Sequence, residues 1–192
     1  KHKEVSSEAL DRGNRIHSEA QSWVEDPSRG DLPDSCKRFP SGFAALARSY
    51  DEGNASCEGE WAFTINFELT QWRDFRKTWL RIKCDAVVRE SDTSYRIIDY
   101  KTGRSKGNEL NHGTQLMLYA MAAFHMYPDL QHVQGEIWYL DDKDAKTLTK
   151  SYSRETALSF KPMFVKRGLA MTTATDFPAN PSPWNCRFCS HR

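Results

Sequence analysis

The run Ile97-Ile98-Asp99-Tyr100-Lys101-Thr102-Gly103 constrains this chain more than any other stretch. Two apolar residues lead into alternating charge, and Thr-Gly ends the run. Alternate residues of an extended strand share a face, so Asp99 and Lys101 point one way and Tyr100 the other. A carboxylate beside an ammonium at the end of an apolar strand suits phosphate chemistry. The carboxylate can hold a divalent cation, and the lysine can stabilise charge on an attacking water or a phosphate. The alternative is a surface salt bridge worth under ~1 kcal/mol.

The surrounding pattern sets the architecture. Residues 6–26 read as an amphipathic helix, capped by Ser6 or Ser7, with Ala9, Gly13, Ile16, Ala20 and Val24 as its apolar stripe. A Pro- and Asp-rich loop, 26–34, precedes a shorter helix at 43–50. Trp61, Phe63, Ile65, Phe67 and Leu69 alternate as one face of a strand. Residues 79–89 and 94–101 form two more strands, which can pair as a hairpin across Glu90–Thr93. A helix is expected from about Gly113 to Met126, strands at 133–140 and 146–152, and a single last helix over 154–172. Helix, strands, helix, strands, helix describes an α/β domain: a central mixed β-sheet flanked by helices. The domain is expected to occupy 1–176, with a Pro-rich tail, 177–192, carrying Cys-x-x-Cys.

At 192 residues the chain can bury a substantial core. A net charge of +1 with 28% charged residues excludes a general basic signature, so any nucleic-acid contact must be local. No apolar run approaches the ~20 residues a membrane helix needs. The opening Lys1-His2-Lys3-Glu4 is not a signal peptide. With the ending at Arg192, it reads as a trimmed fragment. Five cysteines, an odd and scattered set, point to a reducing cytoplasm rather than a disulfide framework.

Other candidates gather around the Asp99–Lys101 strand. Asp85 falls opposite Leu80, Ile82, Cys84, Ala86 and Val88, and a hairpin between these strands would bring it near Asp99. Two close carboxylates repel unless a proton or cation joins them, and hard oxygen ligands suit Mg²⁺ or Mn²⁺. Glu60 is a candidate third carboxylate or a solvated strand residue. Gln115 and Tyr119, one helical turn apart, can orient lysine, water or phosphate. His17 follows Gly13 by four residues and is either a ligand, a phosphate contact or a structural histidine. Arg12, Arg15, Arg104 and Lys106 are candidate phosphate contacts, with solvated charge as the alternative. Trp72, Trp79, Trp138 and Trp184 are packed in the core or available to stack on single-stranded DNA.

The order Gly13-x-x-x-His17, Glu60, Asp85 in Lys-Cys-Asp-Ala, Asp99-Tyr100-Lys101-Thr102-Gly103 and Gln115-x-x-x-Tyr119 resembles the PD-(D/E)XK nuclease superfamily, in its RecB-type and Cas4-like branch. That resemblance implies metal-dependent hydrolysis of DNA phosphodiesters by an exonuclease of recombination, repair or phage DNA processing in a bacterial or phage-infected cell. The alternatives are an endonuclease or a non-catalytic DNA-binding module. It implies His17, Asp85, Asp99 and the Tyr100 carbonyl as metal ligands, Glu60 and Lys101 as catalytic groups, and Gln115 and Tyr119 as support for the site. Partners would be DNA ends and possible recombination proteins, with no membrane. Cys186 and Cys189 resemble part of the tail segment that holds a 4Fe–4S cluster in such nucleases, but a cluster needs four thiolates and the chain shows two of that pattern.

Overall fold

The computed structural model describes residues 8–103, 105–176, 178–183 and 186. Helices α1 (Glu8–Glu25) and α2 (Pro40–Asp51) precede strand β1 (Ala55–Phe63). Strands β2 (Leu80–Ser91) and β3 (Ser94–Lys101) form the expected hairpin. Helix α3 (Glu109–Met126) crosses to β4 (His132–Tyr139), and β5 (Thr147–Ser153) leads into α4 (Arg154–Leu158) and α5 (Lys161–Thr172). The sheet order is β1-β2-β3-β4-β5. Among the described strands only β3 and β4 pair in parallel, and α3 makes the crossover that such a pair needs.

Helices cover the sheet on both faces. On one, α3 lays Leu116, Ala120, Met121 and Phe124 against Phe63, Ile82, Ile97 and Ile137. On the other, Ile16, Ala20 and Val24 of α1 and Phe43 and Leu46 of α2 meet Val88, Ile98, Tyr100 and Trp138. Gly135 lets α3 come close to β4: a Cβ there would stand 3.0 Å from a methyl of Leu116.

Three sequence expectations change. The aromatic alternation does not continue as strand past Phe63. The chain turns over Thr64–Glu68, Thr64 N–H donating to Glu68 O at 2.9 Å, with Phe67 at φ +64° and buried while Ile65 and Leu69 are exposed. The last helix is two, because Pro162 lacks the N–H that would continue α4 into α5. The apolar stripe of α1 is buried only from Ile16 onward; Ala9 and Gly13 overhang a cleft.

Candidate active site

The cleft begins where two strands part. The β2–β3 ladder runs from Ser91–Ser94 to Ala86–Ile98 and stops. Beyond that point β3 stays with β4, pairing Asp99 with Ile137 and Lys101 with Tyr139, while β2 stays with β1. Asp85 and Asp99 are the first residues past the fork. The Tyr100 N–H donates instead to Asp85 Oδ2, at 2.5 Å. One carboxylate oxygen thus replaces the missing strand partner, as a buried backbone donor requires.

The other Asp85 oxygen lies 2.8 Å from His17 Nδ1. That hydrogen bond raises the imidazole pKa above its ordinary value, against the opposing effect of burial. Asp99 is enclosed more deeply, at 5% exposure. Its Oδ1 receives Gln115 Nε2 at 3.0 Å and lies 2.9 Å from the Tyr119 hydroxyl. The Tyr119 oxygen also lies 3.0 Å from Lys83 O and accepts from Gln115 Nε2 at 2.5 Å. The single phenolic proton therefore serves either Asp99 or the β2 backbone. The Lys101 ammonium sits 2.7 Å from Asp99 Oδ2. Burial, first of all, pushes the Asp99 carboxyl above the usual carboxylate range; Lys101 pulls it down and Asp85 pushes it further up.

Strict alternation fails beside Asp85. Ile82 and Cys84 pack toward α3, whereas Ala86 and Val88 pack toward α1 and α2. The one apolar face expected for 80–88 is therefore split in two. Strand β1 switches at the same level: Cys57 packs toward α1 and α2 and Trp61 toward α3, with Glu58 between them at φ +53°. This inversion brings Glu58 into the cleft, where it pairs with Lys83. Glu60 is exposed and does not line the cleft, so the structure does not bring it to the site. Sequence reasoning missed Glu58; the adjacent Gly59 is its only local cue. The cleft encloses about 560 Å³ between Gly13, His17 and Gln21 of α1 and Glu58, Lys83 and Asp85 of the sheet.

The basic candidates are less concentrated than expected. Arg12 forms two hydrogen bonds to Asp141, at 2.7 and 2.9 Å, so its charge is already partnered. Arg15 is exposed, 3.8 Å from Glu19. Lys106 is exposed on a neighbouring cleft with Gly103, Ser105 and Lys143. Arg104 lies outside the described residues, as do Cys189 and Trp184. Cys186 is described and is a free thiol. Among the described residues no helix is long and apolar enough to cross a membrane.

Among the described residues no three His, Cys, Asp or Glu side chains stand ready-made around one metal position. The expected side-chain ligands are instead engaged within the protein, His17 with Asp85, and Asp99 with the catalytic candidate Lys101. Their chemistry nevertheless fits a hard divalent cation. Asp85 lies close enough to raise the proton affinity of Asp99, and Asp99 Oδ2 is buried against the Lys101 ammonium.

Comparison with known proteins gives one family. The model described as the PD-(D/E)XK nuclease superfamily matches residues 2–192. No curated protein matches the chain. Among solved structures, the chain is similar to one titled as the crystal structure of SSO0001, at 12% identity and a TM-score of 0.42, covering 95% of each chain. An alkaline exonuclease from Laribacter hongkongensis is similar at 13% identity and a TM-score of 0.36, covering 88% of this chain and 84% of that one.

Proposed function

Since the chain belongs to the PD-(D/E)XK nuclease superfamily, we propose that it is a divalent-cation-dependent DNA exonuclease of recombination, repair or phage DNA processing. Family membership makes nucleic acid its substrate class. The finer reading rests on one observation: Asp85 and Asp99 meet at the strand fork, with Lys101 2.7 Å from Asp99.

Asp85, Asp99 and His17 would hold Mg²⁺ or Mn²⁺. The cation, when bound, neutralises charge on the scissile phosphate and makes water more acidic. The protein's own groups do the rest. Lys101 leaves its ion pair with Asp99 to orient the attacking water and to stabilise negative charge accumulating on the phosphoryl oxygens. The water oxygen bonds to phosphorus, the ester P–O bond breaks, and the proton the water gives up is balanced by the one the leaving oxygen gains from solvent. Gln115 and Tyr119 act through Asp99, fixing its Oδ1 so that Oδ2 faces Lys101. Glu58 and Lys83 line the cleft where the substrate backbone enters.

The test is cleavage of end-labelled linear DNA beside closed circles, in Mg²⁺, Mn²⁺ or EDTA. Cation-dependent loss of linear DNA with circles spared supports the reading. Opening of circles makes the chain an endonuclease. Binding without cleavage in any cation makes it a DNA-binding module.

A further inference from the structure

The connection between β1 and β2, residues 64–79, enters the α3-side core at Phe67 and Trp79 and projects away from it between them. Its distal part is ordered by its own backbone. Asp74 Oδ1 receives the N–H groups of Arg76 and Lys77 at 3.1 and 3.2 Å, and Asp74 O receives that of Thr78 at 2.9 Å. The turn presents Phe75, 77% exposed. The Arg81 guanidinium lies 4.5 Å from the centre of the Phe75 ring and 5.5 Å from that of Trp72. Arg73, Arg76 and Lys77 are exposed on the same turn, and its one carboxylate, Asp74, is engaged in the turn itself. Trp79 and Trp138 pack within the two cores, so Trp72 alone of the described candidate tryptophans belongs to this cluster.

Strand β2 links the cluster to the fork. Leu80, Ile82 and Cys84 pack toward α3, so Arg81, Lys83 and Asp85 share the opposite face. Arg81 and Lys83 are exposed there. Four residues of strand span about 13 Å, a distance of roughly two extended nucleotides.

We propose that residues 72–81 form a stacking platform for the bases of a single-stranded DNA end, Trp72 and Phe75 contacting bases and Arg81 and Lys83 the phosphates between platform and fork. This inference rests on the nuclease reading and adds to it a base-contacting subsite outside the cleft. Aromatic rings flanked by cations are what sequence-tolerant binding of single strands requires, since every base has a face to stack. The concentration of positive charge in a chain of net charge +1 favours a polyanion over a protein surface.

The experiment is fluorescence anisotropy in EDTA, where cleavage does not intrude, with a labelled oligothymidylate of about ten nucleotides. Phe75→Ala should weaken binding about ten-fold, and Phe75→Tyr should restore it. Phe75 is too exposed for its truncation to unfold the chain, which circular dichroism checks. An abasic oligonucleotide of the same length should bind wild type and Phe75→Ala equally. Equal affinity of wild type and Phe75→Ala for oligothymidylate overturns the platform, as does an equal loss on the abasic strand. Cleavage in Mg²⁺ separates the two readings. A protein that cleaves but binds without regard to Phe75 keeps its nuclease function and loses the platform. One that binds through Phe75 and never cleaves keeps the platform and loses the nuclease function.

Discussion

Asp99 is the residue on which most of the site converges, and its partners differ in what they contribute. Lys101→Met should lower cleavage by about 10²–10³-fold, the usual cost of removing one charge-stabilising donor. DNA binding in EDTA should be unchanged. Tyr119→Phe removes a single donor from a buried network and should cost about 1 kcal/mol of stability in urea unfolding. Cleavage should fall with little change in KM, because Gln115 still holds Asp99. The spacing of Asp99 with Lys101 and of Gln115 with Tyr119 was legible because strands repeat every two residues and helices bring i and i+4 together. Glu58 was not, because its inversion is a backbone event at φ +53° that no side-chain pattern records. Reading β1 as regular carries the eye to Glu60.

At the scale of elements, α3 places Gln115 and Tyr119 by packing against β4 at Gly135. Gly135→Ala crowds Leu116, the neighbour of Gln115, and should cost about 1–3 kcal/mol together with a loss of activity, measurable by thermal melting and cleavage rate. The other end of α3 holds His125 between Phe63 and Phe67. Burial, then Lys161 and Arg154, keep this imidazole below its ordinary pKa, and its Nε2 is buried without a partner. A histidine depressed on folding contributes stability that is present above its unfolded pKa of about 6.5 and lost as pH falls through the folded value. Urea midpoints from pH 7.5 to 5 should therefore fall less steeply in His125→Phe than in wild type. The hairpin and the helix stripes were readable from periodicity. The turn after Phe63 was not, since Ile65, Phe67 and Leu69 prolong the alternation through a segment that leaves the sheet.

For the whole molecule, divalent cation should appear as stability as well as activity. A ligand that binds only the folded chain at one hundred times its dissociation constant adds about 2.7 kcal/mol. Mg²⁺ should raise the melting temperature of the wild type, and EDTA should abolish cleavage. Asp99→Asn should lose the shift and the activity together. The order of elements sufficed to expect a mixed sheet between helices. Which helix covers which face was not readable, because it depends on contacts between residues far apart in the chain.

The parting of β2 from β3 also bears on the order in which the protein is built. Asp85 and Asp99 stand on a single hairpin, and a hairpin can close within microseconds. The parts that surround them arrive from afar: His17 is 68 residues from Asp85, and Gln115 reaches Asp99 only after α3 docks. A half-folded chain therefore carries the carboxylate pair without the imidazole and amide that hold it in place. On the proposed function, the site is complete only when the first helix has closed over the fork and brought His17 to Asp85.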